Sequence, residues 1–241
     1  MQSLNVAPIG LYLHIPFCRS KCVYCDFCSF PRPDEALMTA YVEELIRRME
    51  RDPACAAARK RTVDTVYFGG GTPSLLPPHL ACKLTEAVHS HFQILPNAEI
   101  TVECNPFGDM DWSPWVSGGV NRVSMGVQSM QDEELRRLGR RHRAHDVTLA
   151  VAAARRAGIH NVNLDVMLGI PGQTADSLAD TLDRMLALEP NHLSAYCLTV
   201  EEGTPLARLL AQGRVSVPDE DQTVSLYEQA SRTLTAKGWE H

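Results

Sequence analysis

The 241-residue chain contains no run of about 20 apolar residues, so no helix is expected to cross a membrane. Met1–Ile9 has no basic stretch leading into an apolar one, so no secretory signal is expected. Basic residues are not in excess: 23 Lys and Arg against 29 Asp and Glu leave a net charge of -6. Without a basic stripe, nucleic acid is not an expected partner, and the short run Arg136–Arg143 reads as solvated helix or loop. Both Gly-x-Gly-x-x-Gly and the phosphate loop ending in Gly-Lys-Ser/Thr are missing, which removes two common nucleotide cradles. The cytoplasm is then the expected compartment, where thiols stay reduced. Eight cysteines in such a chain point to metal binding or catalysis ahead of disulfides.

What is present is a regular alternation. Short β-branched runs at Leu11–Ile15, Thr65–Phe68, Ile100–Cys104, Arg122–Gly126, Asn161–Leu168 and His192–Leu198 read as strands. Between and after them, helical patterns cover Pro33–Arg51, Pro78–Phe92, Trp112–Ser117, Gln131–Leu138, Ala144–Ala157, Thr174–Leu188 and Glu220–Lys237. Strands alternating with helices imply right-handed βαβ units and a parallel sheet, either open and doubly wound or barrel-like. The length suits one such unit, and with 44% hydrophobic residues it can build its own core. In both architectures ligands sit at the C-terminal ends of the strands. The unusual polar or reactive residues gather at those ends: the cysteine cluster, Gly69-Gly70-Gly71-Thr72-Pro73, Glu103, Gln128 and Tyr196, with Asp165 inside an otherwise apolar strand. That distribution argues for one site built from all six strands.

Cys18-x-x-x-Cys22-x-x-Cys25 is the strongest motif. Three closely spaced thiolates can hold three irons of a 4Fe–4S cube, whereas ferredoxin-type clusters use four. A missing fourth ligand leaves one iron open to a chelating amine and carboxylate. Other readings are a zinc site completed by Cys28, a cluster held by all four thiolates, or inert cysteines. Structural zinc ligands usually come as two separated pairs, unlike these consecutive ones. Cys55, Cys82, Cys104 and Cys197 are scattered and read as small buried hydrophobes. Adjacent glycines after a strand let a ligand approach the backbone. Taken alone, that glycine run, Glu103, Gln128, Arg140 and Asp165 are also compatible with turns, caps and surface. A carboxylate within an apolar strand must be paired or functional. His14 reads as a hydrogen-bonded histidine.

At this point the residues resemble a known family. Gly10-Leu11-Tyr12-Leu13-His14-Ile15-Pro16-Phe17-Cys18 through Cys25-Asp26-Phe27 is similar to the opening of radical S-adenosylmethionine (SAM) proteins of the oxygen-independent coproporphyrinogen III oxidase superfamily, nearest to the HemW-type heme-chaperone branch. The likeness continues through Gly69–Leu76, Glu103–Pro106, Gly119–Ser129, Leu138–His142, Asn163–Thr174 and His192–Tyr196. It implies an α/β fold, an incomplete (β/α)6 radical SAM barrel, with 1–241 forming the core domain. It further implies a 4Fe–4S cluster on Cys18, Cys22 and Cys25, with SAM on the open iron. Tyr12 and Tyr24 match residues lining the SAM site. Gly70, Gly71 and Thr72 match the segment at the methionine end of SAM. Glu103, Gln128, Arg140 and Asp165 match further polar contacts.

Three departures from the family pattern bear on function. Oxidases carry a further cysteine two residues after the third ligand, where this chain has Phe27, and the extra thiol is Cys28. Cys104 stands where a small apolar residue is usual. No His-Asn-x-x-Tyr-Trp motif, linked to heme in the family, occurs, so the chain is expected to stop before the C-terminal heme-associated region. The resemblance therefore implies a chaperone that binds heme as cargo and passes it to a heme-acceptor protein. The alternative it implies is an enzyme that cleaves SAM to a 5′-deoxyadenosyl radical and oxidatively decarboxylates coproporphyrinogen III.

Overall fold

The structure is a computed structural model describing residues 7–108 and 110–241. The chain opens with β1 (Ile9–Ile15) and the short strands β2 (Phe17–Cys18) and β3 (Phe30–Pro31). Helices α1 (Glu35–Arg51) and α2 (Pro53–Ala58) lead to β4 (Thr62–Gly70), and a 3₁₀ turn over Pro73–Leu75 leads to α3 (Pro78–His91). Then come β5 (Gln93–Cys104), α4 (Ser113–Ser117), β6 (Arg122–Gln128), α5 (Asp132–Arg137) and α6 (Ala144–Arg156). The rest is β7 (Asn161–Leu168), α7 (Ala175–Leu186), β8 (His192–Cys197), α8 (Pro205–Ala211) and α9 (Glu220–Ala236). None of these helices is long and apolar enough to cross a membrane.

Six strands form one sheet in the order β1-β4-β5-β6-β7-β8, every neighbouring pair parallel. Among the described residues β1 and β8 do not pair with each other, so the sheet stays open, in line with the incomplete barrel expected.

Alternation along the strands decides what each face does. Leu13, Ile15, Val66, Phe68, Val102, Val123, Leu164 and Val166 are buried and pack with helical residues such as Val42, Leu84, Val151 and Leu182 in one core. The residues between them are polar and linked sideways across strands. Tyr67 bonds Glu103, Asn163 bonds Ser124, and Ser194 bonds Asn163. In a closed eight-stranded barrel the inward positions are filled with branched aliphatic side chains. Here they are hydrogen-bonding groups, so the concave face is a cup and not a second core.

All six expected strands and all seven expected helices are present, with shifts at their ends. The glycines of β4 lack strand propensity, yet Ile15 stands in register with Gly70 and carries the strand past Phe68. The β2–β3 pair, α2 and α8 were not expected. Two-residue strands have no periodicity to read. For α8 the signal existed: Thr204 accepts from the Ala207 N–H, and Pro205 occupies the first helical position.

Candidate functional site

The cysteine loop is fastened at its base and in its middle. At the base β2 pairs with β3, the Phe30 N–H donates to the Pro16 carbonyl at 2.6 Å, and the Arg32 N–H donates to the Cys18 carbonyl at 2.8 Å. In the middle the Val23 N–H donates to Leu138 O, and Val23 O accepts from the Leu206 N–H at the start of α8. His14 Nε2 bonds Cys28 O at 3.0 Å. The loop thus needs no disulfide, and all eight cysteines are free.

Next to it runs the turn after β4. The Gly71 N–H donates to Ile15 O, and the Thr72 N–H donates to Phe17 O at 2.7 Å. A Cβ on Gly71 would lie 2.7 Å from that same Phe17 oxygen. Gly70 has φ +118°, and a Cβ there would meet the His14 ring at 2.6 Å. Glycine is required at both positions by close approach of backbone and ring. Gly71→Ala is expected to wedge β2 away from the turn and to destabilise the fold by about 1–3 kcal/mol, the range for overpacking. Urea unfolding of the two proteins side by side checks this.

Cys18, Cys22 and Cys25 line one cavity of ≈ 180 Å³ at the C-terminal ends of the strands. So do Tyr24, Gly70, Gly71 and Thr72, and, from β5 to β7 and the segment after α5, Glu103, Gln128, Arg140 and Asp165. Tyr12 does not line it. Its ring is 61% exposed, stacks against Tyr67 on the concave face, and its hydroxyl bonds His14 Nδ1 at 3.1 Å. A larger groove of ≈ 420 Å³ lies between β8 and α9, lined mainly by apolar groups such as Leu193, Ala230 and Leu234, and none of the loop cysteines reaches it.

The polar side chains of the cavity are held in place. Glu103 accepts from the Tyr67 hydroxyl at 2.8 Å and from the Gly70 N–H at 2.9 Å. Burial, then the Glu103 charge, pushes the Tyr67 hydroxyl above its ordinary pKa, so it stays a donor. Arg140 donates to Gly126 O, to Asn105 Oδ1 at 2.6 Å and towards Cys22 Sγ at 3.6 Å. Thr72 Oγ1 lies 3.6 Å from Cys18 Sγ. Gln128 has the left-handed φ of +71°, and its Oε1 accepts from the Tyr196 hydroxyl at 2.7 Å. The buried His142 donates from Nε2 to Val127 O, and burial followed by the Arg140 charge lowers its pKa to about 3.

Sequence reasoning did not select Tyr67, Asn105 or His142 for the site. Their signal was nearness to residues that were selected: Asn105 directly follows β5, Tyr67 lies in β4 three residues before Gly70, and His142 comes two residues after Arg140.

Asp165 accepts from Asn163 Nδ2 at 2.7 Å, and among the described residues no cationic side chain bonds it. Burial raises its pKa from 3.8 to about 6, Asn163 opposes the rise, and the Glu103 charge adds to it. Below the unfolded-state value both states are protonated and Asp165 costs nothing. Above the folded-state value the folded chain must hold a buried carboxylate, roughly 2–3 kcal/mol less stable than with a group of ordinary pKa. Asp165→Asn is therefore expected to raise the unfolding temperature of the ligand-free protein by roughly 5–10 °C at pH 7.5. The gain should shrink steadily as pH falls through the interval from 6 to 4. Calorimetry at several pH values checks it.

These residues suit an iron–sulfur cube with a chelated ligand. No three His, Cys, Asp or Glu side chains among the described residues converge on one ion-sized point. A cube asks for something else, since each thiolate takes a different iron. Thiols on a fastened loop, a glycine turn open to close approach and donors aimed at sulfur meet that demand.

The family comparison agrees. Residues 12–185 match the radical SAM superfamily model, and the chain belongs to that superfamily. Membership implies a 4Fe–4S cluster and SAM. Within the superfamily, the chain is 38% identical to "Heme chaperone HemW" of Escherichia coli over 98% of its length, covering 62% of that protein. It is 37% identical to "Heme chaperone HemW" of Mycobacterium tuberculosis over 96% of its length, covering 60% of that protein. Among solved structures it resembles the Escherichia coli radical SAM enzyme coproporphyrinogen III oxidase (HemN), with TM-score 0.84 and 28% identity over 97% of this chain and 54% of that one. The chain spans about three fifths of the length of these curated relatives.

Proposed function

We propose that this chain is the radical SAM core of a heme chaperone of the HemW kind. The cluster would sit on Cys18, Cys22 and Cys25, with SAM chelating the remaining iron. Tyr24 would face the adenine side, and Gly70, Gly71 and Thr72 the methionine end. Glu103, held by Tyr67 and Gly70, is set to accept from the SAM ammonium. Arg140 keeps a positive charge beside the Cys22 thiolate. Gln128 and Asp165 supply further polar contacts within the cup. Reduced and loaded with SAM, such a cluster supplies one-electron chemistry; in this reading it gates heme binding or transfer.

Heme would be carried as cargo, held chiefly by polypeptide beyond this core, and passed to a heme-acceptor protein in the cytoplasm. The observation that carries the reading is the run of HemW relatives at 35–38% identity across nearly the whole chain. Phe27 supports it: the aromatic ring lines the cavity where the oxidase pattern has a further cysteine.

The likeness to HemN favours a second reading, oxidative decarboxylation of coproporphyrinogen III by the SAM-derived radical. One experiment separates the two. The full-length parent, reconstituted anaerobically with iron and sulfide, is given reductant, SAM and coproporphyrinogen III, and separately heme and an apo-acceptor. Heme transfer without protoporphyrinogen is the expected result. Catalytic formation of protoporphyrinogen would make the protein an oxidase and end the chaperone reading.

A further inference from the structure

The end of β6 carries an irregularity with a purpose. Its register against β7 shifts between Met125 and Gln128, and Gln128, buried and non-glycine, takes φ +71°. Left-handed backbone is unfavourable for a side-chain-bearing residue and persists only where the surroundings over-determine it. The surroundings here are two side chains from one short segment after α5. Arg140 captures the carbonyl of Gly126, and His142 captures the carbonyl of Val127 at 3.1 Å. A cavity-facing residue between them is constrained as well: a Cβ on Gly126 would lie 3.1 Å from both Arg140 Nη2 and Gln128 Nε2. Arg140 reaches the cavity itself, but His142 does not line it and is fully covered.

We infer that His142 is a positioning residue: by holding the Val127 carbonyl it locks the turn that swings the Gln128 amide into the cavity. A ring nitrogen facing a carbonyl oxygen must be the protonated one, so His142 is required as the Nε2–H form. The neutral ring gives one directed bond without adding a second buried cation beside Arg140. Once Val127 is fixed, the Gln128 side chain is aimed towards Tyr196, whose hydroxyl bonds Oε1 and leaves the amide nitrogen for a ligand acceptor. The inference rests on the reading of this cavity as the SAM site for its ligand arm alone.

The test compares His142→Phe, His142→Gln, Gln128→Ala and the double variant His142→Phe/Gln128→Ala, each with iron and sulfide content verified. Two readouts are taken. The first is the resonance of the Gln128 side-chain amide in the diamagnetic apo-protein by NMR. The second is the dissociation constant for SAM on the cluster-loaded protein by equilibrium dialysis. In His142→Phe the Gln128 amide signal should shift or broaden, and SAM affinity should fall about tenfold, or about 1.4 kcal/mol. His142→Gln, whose amide nitrogen can replace Nε2, should recover most of both. In the Gln128→Ala background, adding His142→Phe should change affinity less than twofold, because the residue acts through Gln128. An unmoved Gln128 signal in His142→Phe overturns the inference, and so do additive losses in the double variant. If the unaltered protein binds no SAM while the Gln128 signal still responds to His142, the cofactor reading fails and the positioning role stands.

Discussion

Cys22→Ala is expected to leave the protein unable to retain iron and sulfide after anaerobic reconstitution, while Cys28→Ala retains both. The geometry separates the two thiols. Cys22 lines the cavity and lies 3.6 Å from the Arg140 guanidinium. Cys28 is exposed, does not line the cavity, and engages His14 through its carbonyl and not its sulfur. Losing one of three thiolates strips an iron of its protein ligand, and the further thiol at the cavity wall, Cys104, is buried in β5, where burial pushes its pKa up and keeps it protonated. Metal binding to a fastened loop also adds to folding stability. Thermal unfolding should therefore show a stabilising increment on reconstitution in the unaltered protein and in Cys28→Ala, and none in Cys22→Ala. Equal retention by all three proteins would sink the three-cysteine assignment.

Arg140→Leu is expected to lower apo-protein stability by about 2–4 kcal/mol, since buried acceptors left without a donor lose about 1–3 kcal/mol each. Gly126 O and Asn105 Oδ1 are the two that lose their partner. Asn105 would loosen Thr72 in turn, because its Nδ2 donates to Thr72 Oγ1 at 2.9 Å. Shedding a buried cation returns part of the loss, which sets the upper bound. Arg140→Lys keeps the charge without the planar fork and can serve only one of the two acceptors well, so an intermediate loss is expected. Denaturant titration of the three proteins tests the order. A leucine variant as stable as the parent would remove Arg140 from the framework of the site.

The sheet was legible because its signals are local and repeated. A β-branched run ended by Gly or Asn-Pro announces a parallel strand, and six in alternation leave little choice of topology. The cysteine spacing and the glycine run were legible as chemistry for the same reason. What stayed hidden depends on contacts across long sequence separation. The β2–β3 pair joins two dipeptides with no pattern of their own. Asn105 reads as a strand terminator until Arg140, 35 residues later, is seen to bond it. His142 lies within a basic run that suggests solvent, yet it is buried beneath a strand end. Tyr12, chosen by resemblance, stands on the concave face beside the cavity because strand alternation puts it level with Tyr67 and one step below the rim.

The polar cup has a thermodynamic corollary. A hollow lined by Tyr, Asn, Ser, Asp and Glu is wetted by ordered water, each molecule bonded to the wall. Anything entering such a hollow exchanges wall–water bonds for wall–ligand bonds instead of simply driving water from grease. Association of that kind is dominated by enthalpy, carries a small heat-capacity change, and therefore weakens steadily on warming. Among the described residues β1 and β8 do not pair, so the ring of strands around the cup stays open on that side.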